Sequence, residues 1–234
     1  MKNLSIFIAI AMAFCMISCE KKEVIETQGN KELEISGTPG QLDAIDLGLS
    51  VKWASRNVGA TYASDYGGYY AWGETEEKSN YDFSTYKLYD MEAKKFTKYC
   101  TLEEYGFVDN RVTLDKADDV AAVKLGGGWR MPTSQEMYEL VTKCTWTECS
   151  YRGVSGFLAK GPNGNTIFIP KNGIKSQSSN ANQGTAVNLW TSSLYAGNEK
   201  EYYAMVMTSV GLDIFANSRV SARVGGCGVR AVTK

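Results

Sequence analysis

The sequence predicts an α+β domain, and three observations predict it. Two short segments carry helical spacing, the second half reads as strands separated by Gly, Asn and Ser turns, and no βα alternation is present. The 23 glycines and 12% aromatic residues favour short strands and tight turns over a helical bundle. With 44% apolar residues the chain can bury a core of its own, and its length suits one large domain rather than clearly two.

Residues 1–18 read as an export signal. Lys2 precedes an uncharged run from Leu4 to Ile17, a length suited to a signal core and short of the roughly twenty residues that span a bilayer. Ser18 stands before Cys19, and Glu20, Lys21, Lys22 and Glu23 follow. This is the arrangement of a bacterial lipoprotein signal, in which the Cys19 thiol takes a diacylglycerol and the chain is cut before it, so the expected membrane contact is an N-terminal lipid. The alternative is an ordinary secreted protein cleaved nearby. Residues 19–43 are polar and read as a flexible tether, because such composition buries too little apolar surface to offset its ordering entropy. The folded domain is expected over 44–234.

Its elements follow in order. Ile45, Leu47, Leu49, Val51 and Trp53 alternate with polar residues, which predicts one strand with a buried face. Tyr69 to Trp72, between glycines, is a short strand or extended aromatic segment. From Glu74 to about Asn110 no period holds, and a long loop with short local structure is expected. Asp118 to Leu125 has helical spacing with Val120, Val123 and Ala121 inward, and Gly126 to Gly128 stop it. Thr133 and Glu136 then form a capping box, ahead of an apolar stripe at Met137, Leu140, Val141 and Cys144. A hairpin is predicted from Phe157–Lys160 and Thr166–Ile169 around the turn Gly161-Pro-Asn-Gly164. A Gly/Ser/Asn-rich loop over 172–184 leads to strands at Leu189–Ser193, Glu201–Thr208, Leu212–Ala216 and Val229–Val232.

Composition excludes several functions. The sequence has no histidine, which removes Ser-His-Asp and Cys-His catalysis and any Cys/His metal pattern. Cleavage before Cys19 takes only Lys2 from 25 basic side chains and none of 26 acidic ones, leaving a small negative charge and no basic patch for nucleic acid. Cys100, Cys144, Cys149 and Cys227 remain in the mature body. An exported chain invites a bridge, with Cys144 and Cys149 the nearest pair, and buried free thiols are the comparable alternative. Asp115, Asp118 and Asp119 read as a solvated helix start rather than a metal cluster. Glu74, Glu76 and Glu77 read as a solvated loop rather than a glycosidase carboxylate pair. No metal or cofactor is expected.

Four segments together resemble one family: AIDLGLSVKWASRNVGA at 44–60, GGYYAWGETEEKS at 67–79, DDVAAVKLGGGWRMPTSQEMYEL at 118–140, and NLWTSS with the closing GVRAV. They are similar to the Fibrobacter succinogenes major paralogous domain of exported lipoproteins, and more distantly to the formylglycine-generating enzyme group and the C-type-lectin-like fold. Met131 and Met137 replace the commoner Leu and Trp. The resemblance implies a C-type-lectin-like domain with two helices, termini close together, on an outer-membrane lipoprotein exposed at the cell surface. It does not imply the oxidase, because Cys227 stands alone where a redox pair is needed, nor a calcium lectin, because Gly161-Pro-Asn163 and Leu189-Trp-Thr191 lack the carboxylates that calcium requires. It implies instead a non-enzymatic binder of a protein or glycan, using late loops: Tyr195, Tyr202 and Tyr203 as aromatic contacts, and Asn217, Arg219 and Arg223 as donors. The tyrosines could equally alternate into the core and the arginines be plain solvated surface. The contrasting expectation is a structural subunit of a surface appendage or envelope assembly. Arg130 is expected to hydrogen-bond or ion-pair within the scaffold.

Overall fold

A computed structural model describes residues 23–25, 33–195, 202–210, 213–216 and 220–234, and it is α+β: two helices among many short antiparallel strands in small sheets. β1 (Glu23–Ile25) pairs with β2 (Leu33–Ile35). Ile35 and Ser36 are buried, and Ser36 exchanges hydrogen bonds with Thr166. Ordered contacts therefore begin well before residue 44, inside the stretch expected to be tether. Ile35 supplies the reason, packing against Phe168 and Leu158.

The single strand expected over 44–54 is two. β3 (Ala44–Ile45) and β4 (Lys52–Ala54) pair with each other, Ile45 opposite Trp53. Gly48, at φ +73, takes the reversal, with its amide held by Asp46 Oδ1 at 2.7 Å. The alternation was a true record of burial, since Ile45, Leu47, Val51 and Trp53 are all interior. It did not record that the chain folds back between them.

The aromatic segment Tyr69–Trp72 is buried throughout and bridges Cys227 from Tyr70. The excursion that follows is mostly loop, with a 3-10 turn at Phe83–Thr85 and a small hairpin of β5 (Tyr89–Asp90) and β6 (Lys95–Phe96). α1 (Val120–Leu125) is capped by Asp119, whose Oδ1 accepts from the Ala121 and Ala122 amides. Ala122 turns inward in place of Val123, which is 49% exposed. Gly126, Gly127 and Gly128, all at positive φ, then reverse the chain.

α2 (Ser134–Lys143) starts on the full capping box: the Glu136 amide donates to Thr133 Oγ1 at 3.2 Å and the Thr133 amide donates to Glu136 Oε2 at 2.8 Å. Arg130 makes a two-pronged pair with the same carboxylate, Nη1 to Oε2 at 2.7 Å and Nη2 to Oε1 at 2.5 Å. Burial opposes ionisation of Glu136, but Arg130 and the Thr133 amide outweigh it and hold its carboxyl below the usual range. Thr133→Ala is expected to lower unfolding stability by about 1 kcal/mol in a denaturant titration, as loss of a helix cap does elsewhere.

β7 (Thr145–Tyr151), β8 (Val154–Lys160) and β9 (Thr166–Pro170) form one antiparallel sheet. β10 (Ile174–Ser176) and β11 (Ser179–Ala181) make a hairpin inside the stretch expected to be loop. β12 (Asn188–Leu194) pairs with β13 (Tyr203–Val210), whose other side takes β14 (Asp213–Phe215) and β15 (Val220–Ala222). β16 (Val232–Thr233) returns to β4, Val232 opposite Trp53. The Val232 and Arg130 backbones also exchange hydrogen bonds of 2.8 and 3.0 Å. One core cluster gathers Met137 and Leu140 of α2 with Trp53, Phe157, Ile167 and Leu189. A second gathers Val120 and Ala121 of α1 with Trp72, Tyr99, Trp190 and Val229. Two segments of the family-like pattern lock reciprocally there: Trp72 Nε1 donates to Thr191 O at 2.9 Å, and Trp190 Nε1 donates to Tyr70 O at 2.7 Å.

Candidate functional site

The late-loop residues separate into three groups. Asn217 and Arg219, like the lipidation candidate Cys19, lie outside the described residues. Tyr203 is 38% exposed and Tyr195 half-buried, and the Tyr195 amide donates to Tyr203 O at 3.2 Å. Tyr202 turns into an aromatic cluster, its ring centroid 5.2 Å from Phe96, 5.3 Å from Tyr105 and 5.9 Å from Phe83.

Arg223 is not a surface donor. It is fully buried, with Nε donating to the Tyr86 hydroxyl at 3.3 Å, Nη1 to Tyr99 O at 3.1 Å and Nη2 to Lys98 O at 2.9 Å. Its guanidinium carbon sits 4.1 Å from the centre of the Phe96 ring. The residue fastens the long excursion to the last loop. The physical reason is that the loop carbonyls of Lys98 and Tyr99 have no ladder partner there, and a planar fork satisfies both at once.

Around Tyr195 and Tyr203 the structure assembles a face that the sequence did not suggest. Thr113 bridges Ser193, and the Leu194 amide donates to Val112 O at 2.8 Å, so the run ending at Val112 lies beside Tyr195. Upstream, Gly106 bridges Phe96, and the Phe107 amide donates to Phe96 O at 2.9 Å. Asp109 accepts from the Tyr99 and Cys100 amides, each at 3.0 Å. Leu102, Phe107, Val108 and Val112 project from this braced run at 37%, 58%, 46% and 44% exposure. The signal that could have found them is the apolar pair Phe107-Val108 and the isolated Val112 within an otherwise polar loop.

The carboxylate groups weighed as catalytic or metal-binding are engaged. Glu74 is buried, accepting from the Lys87 amide at 2.7 Å and pairing with Lys78 at 2.8 Å. Glu76 pairs with Lys124, and Glu77 accepts from the Tyr69 amide. Lys98 lies between Asp115 and Asp118 at 2.7 and 2.5 Å, occupying with its ammonium the place a cation would take. Asp119 caps α1 and also accepts from the Met131 amide at 2.8 Å, and burial pushes its carboxyl above the usual range. Among the described residues no group of three metal-ligating side chains converges. A recess of about 320 Å³ on the outer side of α2 is lined by Ser50, Tyr138, Glu139 and Lys143, and Glu139 already holds the Ser50 amide and Lys143.

Cys144 and Cys149 are not joined. None of the four body cysteines is in a disulfide, and all four are buried. Cys144, the C-cap of α2, points into the cluster of Met137 and Leu140, whereas Cys149 on β7 packs with Tyr151 and Phe168. Burial pushes the thiols of Cys144 and Cys149 up to about 11 and that of Cys227 to about 12. A thiol reagent is therefore expected to find these four groups unreactive in the native protein and all four reactive in guanidinium; two fewer would mean a bridge. The same shifts carry a pH dependence. A thiol whose folded pKa is raised contributes stability in full below its ordinary value near 9 and loses it as pH rises through 11 to 12. The unfolding midpoint should fall above pH 9, and less steeply in Cys227→Ala.

No family model, curated protein or solved structure matches this chain.

Proposed function

We propose that the chain is a lipid-anchored, non-catalytic recognition protein of a bacterial outer membrane, exposed at the surface. Its C-type-lectin-like domain would hold a protein ligand on the face between residues 102–112 and the tyrosines Tyr195 and Tyr203. The observation that carries this reading is the grouping of Leu102, Phe107, Val108, Val112 and Tyr203 as exposed apolar side chains on one braced surface. Exposed apolar side chains set among charged ones, here Glu103, Glu104 and Arg111, are typical of surfaces that another protein desolvates. The backing is rigid, since Tyr202, Tyr105 and Phe96 stack edge-on beneath it. The apolar character favours a protein over a glycan, whose hydroxyls call for converging polar groups. The engagement of the carboxylates and the separate burial of the four thiols support the non-catalytic part.

The test is a photo-crosslinking residue placed at Phe107 or Tyr203 in cells, with Tyr138 on α2, 43% exposed, as control. A discrete adduct with another protein at 107 and 203 and not at 138 supports the reading. A ladder of self-adducts favours a subunit of a surface assembly, and glycan binding without adducts sinks the protein assignment. Once the partner is in hand, Phe107→Asp should weaken binding about tenfold or more, the usual cost of a charged group in the centre of an interface.

A further inference from the structure

β7 ends in a two-residue turn, Arg152 and Gly153, at φ 50° and 77°. In a tight hairpin of this kind the closing pair, here Tyr151 and Val154, is hydrogen-bonded. The alternation of an antiparallel ladder then fixes the rest. Cys149, Thr147 and Thr145 direct their backbone groups to β8, while Trp146, Glu148 and Ser150 direct theirs to the opposite side. The bond from the Lys171 amide to Ser155 O agrees, since it turns Ser155 of β8 away from β7.

On that opposite side the sheet ends. Its strand order is β7, β8, β9, and among the described residues no hydrogen-bonding group meets the amides and carbonyls of Trp146, Glu148 and Ser150. Sheets protect such edges with proline, lysine, a bulge or a very short strand. β7 has none of these: it runs for 7 residues, TWTECSY, in unbroken register. Other edges are covered, β9 by Ser36 at Thr166 and β12 by Thr113 at Ser193.

The side chains along the edge say what fits it. Thr145, Thr147, Glu148 and Ser150 are exposed. Glu148, the one charge among them, is already neutralised by Lys171 of the same molecule, so the edge calls for no basic partner. The remaining three are neutral hydroxyls that offer little apolar surface. A neutral, hydroxyl-bearing strand complements them, and β7 is itself such a strand.

We propose that β7 pairs antiparallel with the β7 of a second copy of this chain, about a two-fold axis at Thr147. In that register Trp146 of each copy exchanges backbone hydrogen bonds with Glu148 of the other, and Thr147 faces its counterpart in a favourable cross-strand pair. Centring on Glu148 instead would set carboxylate against carboxylate. Centring on Cys149 would set Trp146 against Arg152, whose positive φ interrupts the ladder. The contact is isologous, so it closes at two copies, joins two three-stranded sheets into one and does not grow into a fibre. It uses none of the residues of the ligand face.

The full chain is tested in the cells that make it, carrying Thr147→Cys or, as control, Val123→Cys on α1, where the side chain is 49% exposed. At a non-hydrogen-bonded antiparallel pair the Cα atoms stand about 4.5 Å apart, within the range a disulfide spans. Oxidation with diamide is expected to convert most of the Thr147→Cys chain to a covalent dimer on a non-reducing gel and to leave Val123→Cys monomeric, the native thiols being buried. Sedimentation of the purified chain should give a dimer for the parent and a monomer for Thr147→Lys, which sets ammonium against ammonium at an exposed site, with circular dichroism unchanged. A parent that sediments as a monomer overturns the pairing. So does equal cross-linking at both positions, which marks random collision, or a disulfide from the new thiol at 147 to a different protein, which gives the edge to another occupant.

Discussion

Replacing Arg223 with alanine is expected to destabilise the domain by about 3–5 kcal/mol, because several buried acceptors lose their donor at about 1–3 kcal/mol each. The truncation orphans the carbonyls of Lys98 and Tyr99 and the Tyr86 hydroxyl, all in the interior. It also empties the space against Phe96 and Trp72, whose ring centres lie 4.1 and 5.1 Å from the guanidinium carbon. Equilibrium unfolding in urea checks the magnitude. Arg223→Lys is the informative companion: it keeps the charge but loses the planar fork, and it should recover only a minor part of the loss. If Arg223 were a solvated ligand donor, both changes would stay within about 0.5 kcal/mol, as surface substitutions do.

A loss of similar size is expected for Arg230→Ala. Arg230 is also fully buried, with Nε donating to Asn57 Oδ1 at 2.9 Å, Nη1 to Ala54 O at 3.0 Å and Nη2 to Phe168 O at 2.8 Å. These partners are neutral acceptors, and burial lowers its pKa to about 9. One side chain thus joins the run into β16 to β4, to the turn after it and to β9. Removing it leaves three buried acceptors without donors, each costing about 1–3 kcal/mol. The sign of its titration is opposite to that of the thiols. Because the folded pKa is depressed, this group's burial cost is present in full below about pH 9 and is relieved as pH rises beyond it. In the Arg230→Ala variant the alkaline fall of the midpoint should therefore be steeper than in the parent. A fall of equal slope would mean that Arg230 keeps its proton throughout.

What could be read in the sequence was what is local. The capping box at Thr133 and Glu136 needs only residues three apart, and the helix, its stripe and the hairpin around Gly161–Gly164 have the same short reach. Strand β7 escaped notice because it is an edge strand with mostly exposed side chains, so no alternation marks it, and Cys144 read as the last helical position when it is the cap. The two arginines could not be read at all. Arg223 finds its partners 124 to 137 positions away, and Arg230 finds Ala54 across 176, distances over which a sequence leaves no spacing to recognise. The candidate face was half legible for the same reason: Tyr195 and Tyr203 stand out in the sequence, while Phe107 and Val112 join them only through pairing with Phe96 and Leu194.

The seating of Val232 between Trp53 and Arg130 has a consequence for how the molecule is made. A chain that emerges N-terminus first, from a ribosome or through a translocation channel, presents the 44–54 hairpin and the GGGWRMPT turn long before the residue that zips them together exists in the same compartment. Until then neither edge can take its β16 partner. The pairing of β16 with β4 and with the Arg130 backbone is the last of these contacts that the order of synthesis makes available.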